Sequence, residues 1–311
     1  MVKTVLITGG AGFVGPHLIQ KLIKEGWEVY AVDNFFNGKR NHIKRFLGDP
    51  HFNFSEGDVT DVTFIKKVLV SSQPDVVYHL AAIHFIPYCI AHPRETVHAN
   101  VTGTQAIIDA LEGSSVTKFV FASTADVYFP SDKPHKESDS LGASNIYGLS
   151  KVFCEELLNL ARIKYPEIKF NAVRFFNIYG PGETNPHLLP DIFACLKQGG
   201  VIRLGNMEPK RDYIYVEDLA EALYLLALYE GNERVFNLGT GIGYSVWEIV
   251  HTLEKVINSS LKVEIDPLKI RKVERQNLVS DISSIKKEID WSPAISLEIG
   301  LKRTIQAEQI L

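Results

Sequence analysis

Tyr147 and Lys151 stand four residues apart in Tyr147-Gly148-Leu149-Ser150-Lys151, a spacing that puts both side chains on one face of a helix. A phenol ordinarily loses its proton at about pH 10. An ammonium beside it favours the phenolate and lowers that value. A phenolate so placed takes the proton of an alcohol while hydride leaves the same carbon. Thr124, which follows the apolar run Lys118 to Ala122 and Ser123, is the candidate for a further hydrogen bond to that oxygen. A Tyr-x-x-x-Lys pair is common by chance, so its meaning depends on whether the chain also holds a hydride acceptor.

The stretch Thr8-Gly9-Gly10-Ala11-Gly12-Phe13-Val14-Gly15 answers that question. It follows a strand-like run, Val2 to Ile7, and precedes an amphipathic segment with Phe13, Val14, Leu18, Ile19, Leu22 and Ile23 at helical spacing. Gly10, Gly12 and Gly15 fit G-x-G-x-x-G, and Gly9, Gly12 and Gly15 fit the related G-x-x-G-x-x-G. The first glycine permits a tight turn, Gly12 has no Cβ to hold a pyrophosphate off the backbone, and Gly15 lets the helix lie close to the strand. The helix N-terminus then offers N–H groups and a partial positive charge to phosphates, and Pro16 falls in the first turn, where its missing N–H costs little. A second strand, Glu28 to Val32, ends at Asp33, about 20 residues beyond the glycines. An acid there accepts hydrogen bonds from the adenosine ribose and repels a 2′-phosphate. The expected cofactor is NAD rather than NADP, although Lys39 and Arg40 lie nearby. Its nicotinamide cation would join Lys151 in favouring the Tyr147 phenolate.

The 311 residues suffice for one large domain or two small ones. A hydrophobic content of 45% and a charged content of 23% are ordinary for a globular protein. The net charge of −4, with no Lys/Arg run, argues against nucleic-acid binding. No signal peptide is expected, since the first strand already carries the cofactor motif. The longest apolar stretch, Leu219 to Tyr229, contains Glu221 and is too short to span a bilayer. Cys89, Cys154 and Cys195 are widely spaced without C-x-x-C, so neither a disulfide framework nor a metal site is indicated. A reducing cytoplasm is the expected location.

The elements that must position these residues alternate. Short strands are expected at Asn53 to Ser55, Asp75 to Leu80, Lys118 to Ala122 and Phe170 to Arg174. Helices are expected at about Val62 to Val70, Arg94 to Leu111 and Asn145 to Ile163. Such alternation predicts an α/β fold of the Rossmann type, a doubly wound parallel sheet whose ligands sit beyond the carboxyl ends of the strands. Gly12, Asp33, Asp58, Ala81 and Thr124 all fall at those ends. From about Asn177 prolines and glycines cluster, and further helices are expected near Val216 to Leu228, Val246 to Ile257 and from Leu297. The expected division is an NAD-binding domain over 1–176 and a smaller, mainly substrate-binding α/β part over 177–311. The chain is expected to cross between them, with the substrate in the cleft.

The chain resembles the extended short-chain dehydrogenase/reductase superfamily in its nucleotide-sugar epimerase/dehydratase branch, most of all the UDP-glucose 4-epimerase-like members. The residues that carry the resemblance run over nearly the whole length. They are Thr8 to Gly15, Asp33-Asn34, Asp58-Val59, His79-Leu80-Ala81-Ala82, Asn100 with Gly103-Thr104, Ser123 to Tyr128, Tyr147 to Lys151, Arg174 to Pro181, Arg211-Asp212-Tyr213, and Asp281 with Trp291-Ser292-Pro293. The resemblance implies that Thr124, Tyr147 and Lys151 are the catalytic trio. It implies that Gly9, Gly12, Phe13, Val14, Gly15, Asp33, Asn34, Asp58, Val59, Leu80, Ala81, Ala82 and Asn100 line the cofactor, with Asp58 and Val59 at the adenine. It places Asn177 on the sugar-nucleotide diphosphate and Ile202 and Leu204 at the base, largely through backbone. Arg211 and Arg271 fall on the diphosphate, for which guanidinium forks are well shaped, and Glu274 faces the nucleotide ribose. A homodimer formed through the helices at about Arg94 to Leu111 and Asn145 to Ile163 is also implied, with Ile107, Ile108, Leu111, Leu157 and Leu160 serving either that contact or the core.

One departure bears on the reaction. The 4,6-dehydratases that resemble this chain carry Asp-Glu directly after the threonine, and the decarboxylase relatives keep Ser-Glu there. This chain has Ala125-Asp126. Simple C4 epimerisation of a UDP-hexose through a transient 4-ketose needs only the trio and a retained NAD⁺. A dehydratase, decarboxylase or 4-keto-sugar reductase, or a catalytically idle NAD(H)-binding regulator, are the rival readings. Asp126 is read as a loop residue or a structural hydrogen bond ahead of an acid/base. His84, just past Ala81-Ala82, and His187, after the diphosphate-binding loop, are candidate substrate contacts.

Overall fold

A computed structural model describes residues 3–183, 185–270 and 275–310. The chain opens with β1 (Thr4–Thr8), α1 (Gly15–Lys24), β2 (Glu28–Asp33), a short α2 (Arg40–Ile43) and β3 (Phe52–Glu56). It continues through α3 (Val62–Ser72), β4 (Val76–His79), α4 (Ile86–Ala91), α5 (Pro93–Val97), a π turn over His98–Thr102 and α6 (Gly103–Ala110). β5 (Lys118–Thr124), a 3₁₀ turn (Ala125–Val127), α7 (Ile146–Lys164) and β6 (Lys169–Phe175) follow. Strand β1 pairs in parallel with β2 and β4, β2 with β3, β4 with β5, and β5 with β6. Adding a later edge strand, β10 (Val235–Leu238), the order is β10-β6-β5-β4-β1-β2-β3. Reversal of direction at β1 makes the sheet doubly wound.

Every residue of β4 and β5 is buried, which explains why both read as continuous runs instead of alternating ones. The parallel register brings Thr8 beside His79 and Val32, and Ser123 and Thr124 beside Arg174 and Phe175. The carboxyl ends of β1, β2, β4 and β5 therefore carry Thr8, Asp33, His79 and Thr124 on one edge. Asp61 caps α3 by accepting from Thr63 N and Phe64 N, and Asn145 caps α7 through Gly148 N. Helix α7 thus starts where Tyr147 lies in its first turn. The core of this part gathers Leu6, Val77, Ile107, Phe119, Cys154 and Leu158.

The structure departs from expectation at one helix. The segment expected over Arg94 to Leu111 is interrupted by the π turn at His98–Thr102. There the Asn100 amide leaves the helix register to grip the backbone of Ile83, accepting from its N at 2.8 Å and donating to its O at 3.0 Å. Single π turns of this kind cluster at functional sites.

The remaining elements are β7 (Asn177–Tyr179), α8 (Leu188–Gln198), β8 (Ile202–Leu204), β9 (Lys210–Tyr215), α9 (Val216–Leu228), β11 (Gly243–Tyr244), α10 (Val246–Ile257), β12 (Val263–Ile265), β13 (Asn277–Leu278), α11 (Ser283–Ile289) and α12 (Leu297–Ala307). Strand β9 pairs with β7, β11 and β13, and β8 pairs with β12. A separate core of Tyr179, Ile192, Ile202, Leu204, Tyr215, Ile249, Leu253 and Leu301 joins β7, α8, β8, β9, α10 and α12.

Two compact units result. The first takes Met1–Phe129, Ser140–Phe175 and Ala220–Phe236, and the second Pro130–Asp139, Phe176–Leu219 and Asn237–Leu311. The chain passes between them at 130–139 and 220–236 as well as at 176. The return of 220–236 to the first unit is fixed by β4 and β5. Tyr78 Oη donates to Leu223 O at 2.8 Å, within α9, and the buried Lys118 ammonium donates to Ala227 O at 2.9 Å and to Tyr229 O, satisfying carbonyls at the helix's end.

Candidate active site

The glycine turn is built by close approach. Gly9 has φ +74°, and a Cβ there would lie 2.7 Å from Ala81 N; Gly9 N and Gly10 N both donate to Val32 O, at 2.8 and 3.1 Å. A Cβ on Gly15 would come within 2.4 Å of Gly10 O. Gly15 thus lets α1 start against the turn's own backbone, where the sequence had pointed to the strand. Gly12 differs: a Cβ there would meet only Gly9 O, at 3.2 Å, so its other side stays open. Gly12, Phe13 and Val14 are half-buried, and Val14 provides no side-chain cap to α1. An uncapped helix start beside an open glycine is suited to an anion.

Asp33 is almost wholly buried beside this turn. Oδ2 accepts from Ala11 N at 3.0 Å and Oδ1 from Phe35 N at 2.7 Å. Burial raises its carboxyl above the usual range, against the pull of those N–H groups and of His42. Each oxygen retains a lone pair for a hydroxyl donor. Gly38 permits this packing, since a Cβ there would sit 2.7 Å from Oδ1. Arg40 reaches Glu56 at 2.6 Å and lies over the Phe35 ring at 4.3 Å, an arrangement that engages the guanidinium a 2′-phosphate would need. Asn34 Nδ2 donates to Asp58 Oδ2 at 2.8 Å. Burial works to raise the Asp58 carboxyl, but hydrogen bonds from Thr60 and Asn34 and the nearby His98 outweigh it and hold it low. Val59 packs into the core beneath, with Gly103 pressed against it.

Behind the turn runs a buried hydrogen-bonded chain that sequence reasoning missed. Thr8 Oγ1 meets His79 Nδ1 at 2.7 Å, and His79 Nε2 meets Thr104 Oγ1 at 3.0 Å. Burial, with help from Lys151, pushes His79 down to about 3, so it stays neutral. Leu80, Ala81 and Ala82 follow as a half-buried segment, with Leu80 N donating to Thr8 O at 3.1 Å. Asn100 spends its second amide hydrogen on Ser150 Oγ at 3.0 Å, and Ser150 donates to Tyr147 O at 2.7 Å. The amide of Asn100 is therefore engaged in holding Ile83 and the first turn of α7, a positioning task. His84 is the half-buried residue next to Ile83.

Thr124 and Tyr147 come together. The threonine hydroxyl is hydrogen-bonded to the phenol and lowers its pKa, but burial and the charge of Asp126 outweigh that and raise it above the usual value. The lowered phenol expected from sequence is thus not a property of the protein groups alone. Lys151 is buried on the same helix, with Nζ donating to Ala122 O at 2.7 Å and lying 4.5 Å above the Phe121 ring. Burial pushes it down to about 8, with Cys154, Glu155 and Cys89 opposing, so it is still largely an ammonium at pH 7.

One turn further along α7, Glu155 forms a buried ion pair. Arg174 donates through Nε to Oε1 at 3.0 Å and through Nη2 to Oε2 at 2.7 Å, Ser123 Oγ adds a bond to Oε1, and Arg174 Nη1 reaches Tyr128 Oη at 2.9 Å. This pair ties α7 to the ends of β5 and β6, directly below Thr124. Sequence reasoning missed this pair, whose members stand 19 residues apart on different elements.

In the second unit, Asn177 is half-buried on β7 beside Tyr213. Ile202 and Leu204 turn their side chains into the core, leaving the backbone of β8 as the part open to recognition. Arg211 Nη1 donates to Lys210 O and Arg275 O, both at 2.9 Å. His187 is exposed and paired with Glu183, whose carboxyl burial raises and His187 lowers. Arg271 and Glu274 lie outside the described residues.

A family model described as GDP-mannose 4,6 dehydratase matches residues 6–304. A UDP-glucose 4-epimerase from Lactobacillus helveticus is 32% identical over 311 residues, 93% of this chain and 92% of that one. A UDP-N-acetyl-alpha-D-glucosaminuronate decarboxylase from Bacillus cytotoxicus is also 32% identical, covering 98% of each. The crystal structure of a UDP-glucose 4-epimerase from Bifidobacterium longum in complex with NAD⁺ and UDP superposes with a TM-score of 0.89 at 28% identity, over 99% of this chain and 98% of that one. The chain belongs to the family of that model, the nucleotide-sugar epimerases and dehydratases of the extended short-chain dehydrogenase/reductase group.

Proposed function

We propose that this chain is an NAD-dependent 4-epimerase of a UDP-hexose. The observation that carries the reading is the meeting of the Tyr147 phenol with the Thr124 hydroxyl, one helical turn from the Lys151 ammonium. The edge that bears them also bears the glycine turn and Asp33. On this reading Gly9, Gly12, Phe13, Val14 and Gly15 receive the pyrophosphate, Asp33 and Asn34 the ribose, and Asp58 and Val59 the adenine. Leu80, Ala81 and Ala82 border the rest of the dinucleotide. The open side of Gly12, the uncapped start of α1 and the buried Asp33 fit such a ligand.

The chemistry NAD supplies when bound is a reversible hydride acceptor and a positive charge. Tyr147 removes the proton of the 4-hydroxyl as the carbon is oxidised, Thr124 hydrogen-bonds the same oxygen, and Lys151 holds positive charge behind them. After the 4-ketose has turned over, Tyr147 returns the proton. Asn177, His187, Ile202, Leu204 and Arg211 are the second unit's candidates for the nucleotide part, with His84 a candidate on the first. The absence of an Asp-Glu pair after Thr124 favours epimerisation over dehydration or decarboxylation, and the intact trio argues against an idle NAD(H)-binding regulator.

Incubation with UDP-, GDP-, CDP- and dTDP-sugars, followed by NMR, is expected to give a 4-epimer of a UDP-hexose without added cofactor. A 4-keto-6-deoxy product would replace this reading with a dehydratase.

We also propose a homodimer formed through α5 and α7. Ile107, Ile108 and Leu111 belong to the core, whereas Leu149, Phe153, Leu160 and Ile163 of α7 and Val97 of α5 are exposed, a face that a second copy would cover. Sedimentation velocity is expected to show a dimer that Phe153→Glu dissociates; a monomeric parent protein would contradict it. No helix among the described residues is long and apolar enough to cross a membrane.

A further inference from the structure

Beyond Asp33, in the first unit, two adjacent aromatic rings run opposite ways. Phe35 takes φ +57°, in the left-handed region that a bulky side chain seldom enters and that clusters at functional sites. Its N donates to Asp33 Oδ1 at 2.7 Å, and Phe36 N donates to Asn34 Oδ1 at 3.0 Å. The turn so fixed lays the Phe35 ring against Phe54 of β3, with centroids 5.3 Å apart. The Phe36 ring goes instead to Tyr88 of α4, edge-on, with centroids 5.4 Å apart and planes at 75°. Tyr88 is itself braced. His92 stacks on it at 4.2 Å, and its hydroxyl donates to Glu95 Oε2 at 2.6 Å.

The sheet order gives this contact its meaning. Strand β1 lies between β2 and β4, so Phe36, after β2, and Tyr88, after β4, follow strands two spacings, about 10 Å, apart. The glycine turn leaves β1 in the gap between them. Both flanks touch that turn at their bases. Asp33 Oδ2 accepts from Ala11 N at 3.0 Å, and Lys39 N donates to Ala11 O at 2.9 Å. On the other flank the backbone of Leu80 and Ala81 crowds Gly9. The loop over 34–38 therefore leaves the turn and returns to it with Phe36 at its tip, and the tip meets Tyr88. Loop, ring pair and the segment after β4 close a hoop in front of β1. Phe36 is 49% exposed and Tyr88 half-buried, so core packing does not account for their meeting.

We propose that Phe36 and Tyr88 are positioning residues that hold this hoop shut and retain the bound dinucleotide between turnovers. The inference rests on the cofactor reading above, with the pyrophosphate on Gly12 and the ribose on Asp33. A dinucleotide held at both places lies along the inner side of the hoop and leaves once Phe36 parts from Tyr88. Such a latch suits an epimerase, because a reduced cofactor lost in mid-cycle would strand the ketose.

The purified protein is loaded with NAD, and release is followed at 340 nm with added alcohol dehydrogenase and ethanol, which reduce each molecule set free. Phe36→Ala and Tyr88→Ala are each expected to speed release by about tenfold, the scale of one aromatic pair. The double variant is expected to release no faster than either, since one substitution already opens the hoop. Tyr88→Phe keeps the ring, loses the bond to Glu95, and is expected to stay near the parent rate. For a variant that does not stay loaded through purification, the rise in its Kd for NAD reads the same factor. Unchanged release in either alanine variant, additive effects in the double variant, or a Tyr88→Phe protein as leaky as Tyr88→Ala overturns the hoop and leaves the cofactor reading intact. A parent protein that takes up no NAD overturns both.

Discussion

Replacing Tyr147 by Phe is expected to lower kcat by about 10²–10⁴-fold, the usual contribution of a positioned acid–base group, while bound dinucleotide is retained. The ring and its packing survive the change, and what is lost is the oxygen that meets Thr124 and, on the epimerase reading, the substrate hydroxyl. In the protein alone that phenol is held above its ordinary value, by burial first and by Asp126 second. It therefore becomes an effective base only when positive charge is added near it. On the epimerase reading Lys151, whose own ammonium burial pushes down to about 8, supplies a part of that charge, which weakens as the pH rises past that value. The measurement is turnover beside the absorbance of bound cofactor on the purified variant. Unchanged turnover would remove Tyr147 from the mechanism. Lost turnover accompanied by lost cofactor would assign the residue to binding.

Replacing Arg174 by Met is expected to destabilise the protein by about 3–5 kcal/mol, the cost of leaving a buried charge without its partner. The buried carboxylate of Glu155 would keep the Ser123 hydroxyl alone among the described residues that bond it, and Tyr128 would lose the Arg174 donor at its oxygen. The double variant Glu155→Leu with Arg174→Met is expected to recover most of that loss, since it removes both charges together. Urea denaturation of the two variants checks the pair. A single variant that loses less than about 1 kcal/mol would mean that water reaches the carboxylate and that the tie between α7 and the strand ends is weak.

Much of the site was legible because its chemistry depends on short-range spacing. The interval between Tyr147 and Lys151 decides which face they share, and the glycine intervals decide where backbone approaches backbone. The strand ends followed from alternation, because each apolar run stops where the sheet stops. Long-range ties were not legible. Nothing in the spacing announced a Glu155–Arg174 pair, and the register that sets Ser123 beside Arg174 belongs to the assembled sheet. The π turn at His98–Thr102 was not read from the periodicity, and the grip of its Asn100 on the backbone of Ile83 is a contact with another segment. Helix α9 reads as one apolar helix, and is one, yet its first turn belongs to the second unit and the rest to the first. The hydrogen bonds of this return to Tyr78 and Lys118 are long-range contacts that no local pattern encodes. Ile202 and Leu204 show the same limit, since their resemblance to base-contacting residues says nothing of side chains that fill a core.

The most direct test of the central claim is to follow UDP-glucose labelled with deuterium at C4 by NMR, without added cofactor. The account predicts UDP-galactose that keeps its deuterium at C4, with none released to water. Loss of the label to solvent, or a product altered at C5 or C6 with C4 unchanged in configuration, would contradict it.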